Sequence, residues 1–153
     1  MANELVTVCL PPAADSDLRA SLATALAPFD MNGNHKPYQG EGDQWRIGRP
    51  GAEFTVVSGR EDDPRLVRDP TPFRGEPRDL VPGLCDGGPR ELLDFAAMRA
   101  QAGCPIRSVA TDHLLTLDGV WTCDYFLTDS LDMDSCLDGL PPHTLVVRLR
   151  IHC

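Results

Sequence analysis

Arg148, Arg150 and His152 recur at every second position within the run Thr-Leu-Val-Val-Arg-Leu-Arg-Ile-His-Cys at 144–153. Successive side chains of a strand point to opposite faces. A strand here turns Leu145, Val147, Leu149 and Ile151 one way, and Val146, Arg148, Arg150 and His152 the other. Two guanidiniums at that spacing can clamp a carboxylate or phosphate through forked, charge-assisted hydrogen bonds. The same alternation also describes a half-solvated sheet face with no ligand. A strand over 4–10 that buries Val6, Val8 and Leu10 adds Thr7 and Cys9 to the cationic face.

Two other places hold groups suited to catalysis. Cys85 precedes Gly87-Gly88-Pro89-Arg90, where a helix is expected to open. Free N–H groups at a helix start favour an anion, Arg90 adds charge, and a thiolate near such a start becomes a better nucleophile. The bland alternative is ordinary turn chemistry, and neither phosphate-loop pattern, G-x-x-x-x-G-K-[ST] or G-x-G-x-x-G, occurs. Asp118-Gly119 lies between two β-rich runs and signals a hairpin. With those two residues as the loop, His113 faces Asp124, an acid–base pair or a plain cross-strand ion pair.

Metal binding finds no dedicated spacing among the four histidines and six cysteines, with no C-x-x-C and no H-x-x-x-H. Asp129, Asp132, Asp134 and Asp138 suggest calcium, but the EF-hand pattern fails because Leu137 stands where its glycine belongs. No metal and no cofactor is expected. The stretch 111–138 holds seven aspartates and no cation, which reads as a solvated surface or as a face for a basic target. Trp45 and Trp121 read as core or core-edge residues rather than a ligand cage.

The elements that must position these groups follow from periodicity. Glu4–Leu10 reads as a strand, stopped by Pro11-Pro12. Leu18, Leu22, Ala25 and Leu26 mark a helix capped by Asp15 or Ser16. The stretch of about 30–88 is a Pro/Gly-rich excursion, with short strands at 44–47 and 53–58 and a partly ordered cover at 59–82. A second helix follows Pro89, then the hairpin, a short helix over 131–137 and the closing strand. This order favours one α+β domain over 1–153, a largely antiparallel sheet with two main helices on one face. A ferredoxin-like sandwich is the specific expectation, with the first and last strands near each other.

The formal charge of −9 argues against a nucleic-acid backbone as partner. No apolar run approaches the roughly 18 residues a bilayer span requires. The opening residues read as no secretory signal, and the unpaired cysteine pattern reads as reduced thiols in the cytoplasm.

Gln44-Trp45-Arg46-Ile47-Gly48-Arg49, Cys85 through Arg90, Asp118-Gly119-Val120-Trp121 and the closing strand resemble a set of small uncharacterised proteins of actinobacteria and their phages. Those share a Trp-x-Ile-Gly-Gly-Arg-Trp segment, an Asp-Gly-x-Trp hairpin and a strand at the C-terminus. Here Arg49-Pro50-Gly51 replaces Gly-Arg-Trp. The resemblance implies a bacterial cytoplasmic setting and brings no established activity to carry over.

The leading expectation is a binding or regulatory domain for an anionic small molecule or protein segment, held by Arg148, Arg150, His152, Thr7, Cys9 and Arg90. The alternatives are a small enzyme using Cys85, or His113 with Asp124, and an acidic inhibitor acting through Asp129–Asp138.

Overall fold

In a computed structural model the described residues are 3–29, 45–49, 51–69, 79–102, 111–123 and 127–152. Alternating apolar positions make Asn3–Leu10 a strand, β1. A 3-10 turn over Pro12–Asp17 starts at the second proline and absorbs both residues expected to cap the helix. The first α turn therefore starts later. Asp17 caps α1 (Leu18–Leu26), accepting the Ala20 amide at 3.2 Å. Short strands β2 (Trp45–Ile47), β3 (Phe54–Thr55), β4 (Leu84–Cys85) and β5 (Gly87–Pro89) lie in the Pro/Gly-rich stretch. Then come α2 (Phe95–Ala102), β6 (His113–Leu115), β7 (Trp121–Cys123), α3 (Leu127–Asp138) and β8 (Leu145–His152).

The fold is α+β with a mostly antiparallel sheet, in the order β2-β8-β1-β6-β7, and β5 also pairs with β8. Only β1 and β6 run parallel among the described pairs. The first and last strands are hydrogen-bonded neighbours, from Asn3↔His152 to Leu10↔Leu145. So β8 is an internal strand, flanked by β1 on one side and by β5 and then β2 on the other. Gly87 permits the β5 contact, because a Cβ there would stand 2.5 Å from the Val146 carbonyl oxygen.

The helices do not share one face. Val6, Val8, Leu10, Leu145, Val147, Leu149 and Ile151 pack with Leu22 and Leu26 of α1. On the reverse, Cys9, Leu114 and Val146 pack with Phe54, Phe95, Met133 and Leu137, from β3, α2 and α3. The sheet is thus sandwiched between two covers rather than backed by one. The side-chain alternation of the closing strand is as expected. The solvation of its second face is not, because α2, α3 and β3 bury it.

The second helix also begins later than Pro89. The amides of Arg90 and Glu91 are held by the carbonyls of Thr144 and Pro142, at 2.7 and 2.9 Å. The segment 90–92 therefore makes one 3-10 turn, and α2 starts only after Asp94, which accepts the Ala97 amide at 2.9 Å.

Candidate functional site

Two groups of polar side chains sit on opposite faces of the sheet around β1 and β8. The first is the arginine group. Arg148 is only 2% exposed, with its guanidinium 4.4 Å from the centre of the Phe54 ring. Burial pulls its pKa down to about 10, opposed by the fields of Asp112 and Asp134. Thr7, its partner across β1, is fully buried, and Cys9 is buried beyond it. Burial, and then Cys136, pushes the Cys9 thiol up to about 12. Arg148, Thr7 and Cys9 therefore form an inner surface and not the accessible platform expected of them.

Arg150 lies one pair further along. It stands opposite Leu5 on β1 and opposite Arg46 on β2. Arg46 is exposed, Arg49 half-exposed, and Arg150 retains 8% exposure. Burial lowers the Arg150 pKa first, the charges of Arg46 and Arg49 lower it further, and the charge of Asp69 opposes them. Asp112 anchors the group. Its Oδ2 accepts the Leu5 amide at 2.9 Å and lies 3.7 Å from Arg49. Gly48 sets the path between Arg46 and Arg49. Its φ is +87°, and a Cβ there would stand 2.7 Å from Oδ1 of the buried Asp86.

Across the comparisons made with protein-family models, curated proteins and solved structures, nothing matches this chain.

The second group corrects the His113–Asp124 pairing. Leu115 faces Trp121 and His113 faces Cys123, one residue out of the expected register. The loop has three residues. The Thr116 amide donates to the Val120 carbonyl at 3.0 Å, the Gly119 amide to Thr116 at 3.0 Å, and Gly119 has φ +79°. This is a turn closed by a left-handed glycine, which Asp-Gly suits as well as it suits a two-residue loop. Asp124 lies outside the described residues. His113 Nδ1 is 3.1 Å from Cys123 Sγ, Trp121 Nε1–H donates to the same Nδ1 at 3.3 Å, and Nε2 hydrogen-bonds Glu4 Oε2.

Cys85 is not a helix-start thiol. It sits in β4, buried, and burial pushes its pKa up to about 11 against a backbone hydrogen bond from Gly87 and the charge of Arg68. Among the described residues no histidine is hydrogen-bonded to it. Arg90 is a tie rather than a ligand arm. It donates to the carbonyls of Leu137 and Leu93, both at 3.1 Å, and lies 4.0 Å over the Phe95 ring. His152 ends β8 opposite Asn3, and its side chain lies outside the described residues. Among the described residues no three His, Cys, Asp or Glu side chains converge to hold a metal ion, and no helix is long and apolar enough to cross a membrane.

Sequence reasoning missed Arg46, Arg49, Glu4 and Cys123. The signal for Arg46 was present, since the apolar Trp45 and Ile47 flank it and turn it to the opposite face. The signal for Glu4 was its parity with Val6 and Val8, an acid on an apolar face.

Proposed function

We propose that the chain is a small binding domain that holds an anionic group, a carboxylate or phosphate, at Arg46, Arg49 and Arg150. The observation that supports this most is the Arg46↔Arg150 cross-strand pair. Like charges directly opposite one another are destabilising, and Arg49 adds a third cation within range. A bound anion converts that repulsion into charge-assisted hydrogen bonds. Arg150 supplies a held floor, Arg46 an exposed arm, and Arg49 a side oriented by Asp112. On a molecule of net charge −9 this is a local site, too narrow for the counterion release that drives binding along a nucleic-acid backbone.

The test is calorimetric titration with inorganic phosphate and with citrate, on the native chain and on Arg46→Gln. Removing one guanidinium contact weakens binding about tenfold, the equivalent of a charged hydrogen bond of roughly 1.5 kcal/mol. The same substitution raises the stability of the free protein by about 0.2–1 kcal/mol, because it relieves the like-charge pair. Equal affinities for the two chains, or a less stable Arg46→Gln, would reject the reading.

A further inference from the structure

We infer that Cys123, His113 and Glu4 form a nucleophilic relay, in which His113 takes the Cys123 thiol proton and Glu4 steadies the resulting imidazolium. This goes beyond the anion site, which lies on the opposite face of the sheet.

The geometry is that of a nucleophile, a base and an orienting group in line. One imidazole nitrogen meets the sulfur and the other meets the carboxylate. The tautomer follows from donor chemistry. An indole N–H can only donate, and Trp121 Nε1–H points at Nδ1. Nδ1 therefore carries the lone pair, and the proton sits on Nε2, shared with Glu4. Nδ1 is also 3.1 Å from Cys123 Sγ, so its one lone pair is shared between the indole N–H and the thiol that gives the proton.

Burial adds direction. Cys123 and His113 are 6% and 5% exposed, whereas the Glu4 side chain is 34% exposed. The relay runs from a thiol in an apolar, aromatic setting to a carboxylate at the water. Trp121 stacks obliquely on His113 and on Phe29, with ring centres 5.4 and 4.9 Å apart. With apolar and aromatic neighbours, the thiol is matched to an uncharged electrophile, and the substrate class is a small neutral ester or related acyl compound.

In the step itself the S–H bond breaks and its electron pair forms an S–C bond to the carbonyl carbon. The proton passes to Nδ1, and the carbonyl π pair moves onto oxygen. Collapse of that adduct expels the alcohol, which takes the proton from Nδ1, leaving an acyl thioester on Cys123.

The probe is p-nitrophenyl acetate, with p-nitrophenolate release followed in time and the acetylated peptide located by mass spectrometry. The expected result is a burst with the acetyl group on the Cys123 peptide. Loss of the general base in His113→Gln slows the burst by about a hundredfold. Glu4 is a positioning residue, so Glu4→Gln lowers the acylation rate constant without changing the ester concentration that gives half the maximal rate. Acetylation spread over Cys136 or Lys36 instead, absence of a burst, or a burst untouched by His113→Gln overturns the relay. Should His113→Gln fail to fold, Glu4→Gln decides, and an unchanged acylation rate in that variant is equally fatal.

Discussion

At the scale of single residues, burial decides which polar groups are available for chemistry. Arg148 and Arg150 share a strand face two residues apart, yet one lies against Phe54 and the other stands opposite Arg46. Thr7 is the clearest misfit of this kind. It is fully buried, and its hydroxyl finds no hydrogen-bond partner among the described residues. A buried polar group left unsatisfied costs about 1–3 kcal/mol, and valine has nearly the same shape without the hydroxyl. Thr7→Val is therefore expected to raise the midpoint of chemical denaturation, by roughly 1 kcal/mol of stability. A fall of that size would mean that the hydroxyl has a partner in solution. Thiols with no histidine beside them among the described residues follow the same logic: Cys9 and Cys85 are held protonated by burial and are poor nucleophiles near neutral pH.

At the scale of elements, what was legible in the sequence was parity, and what was not was pairing. Which residues of β1 and β8 share a face follows from a period of two, whatever the neighbours are. Whether the second face meets water depends on what packs over it, and no local pattern in 144–153 carries that. The hairpin shows the same limit, because Asp118-Gly119 is compatible with two loop lengths and the choice moves every partner by one. That single step exchanged Asp124 for Cys123 opposite His113. Gly48 links element to site. Its positive φ and its contact with the Asp86 carboxylate both exclude a side chain. Gly48→Ala is expected to cost more than the roughly 1–2 kcal/mol of a left-handed non-glycine residue alone, and to weaken phosphate binding by shifting Arg49. A variant with unchanged melting temperature and unchanged binding would show that the turn relaxes freely.

At the scale of the whole molecule, the raised thiol pKa values set an alkaline limit. The folded protein holds the Cys9 and Cys85 protons more tightly than the unfolded chain, whose thiols titrate near 9. Their contribution is complete below that pH and is lost as pH rises toward about 11 for Cys85 and about 12 for Cys9. Each thiol then removes roughly 1.4 kcal/mol per pH unit within its window. Urea midpoints should be flat from pH 7 to 8.5 and fall steeply above 9. A flat profile to pH 10.5 would mean that neither thiol stays buried in the native state.

The pairing of β1 with β8 has a kinetic corollary. Its two strands stand far apart in the sequence, yet each is the other's longest partner, and β2 and β5 also need β8 for their ladders. Closing so large a loop costs entropy before any ladder bond returns it, so the sheet cannot nucleate at its centre from local contacts. Refolding on the order of milliseconds to seconds, rather than microseconds, is the pace such a topology sets. Until the last strand arrives, the apolar flank of β1 stays open to other chains.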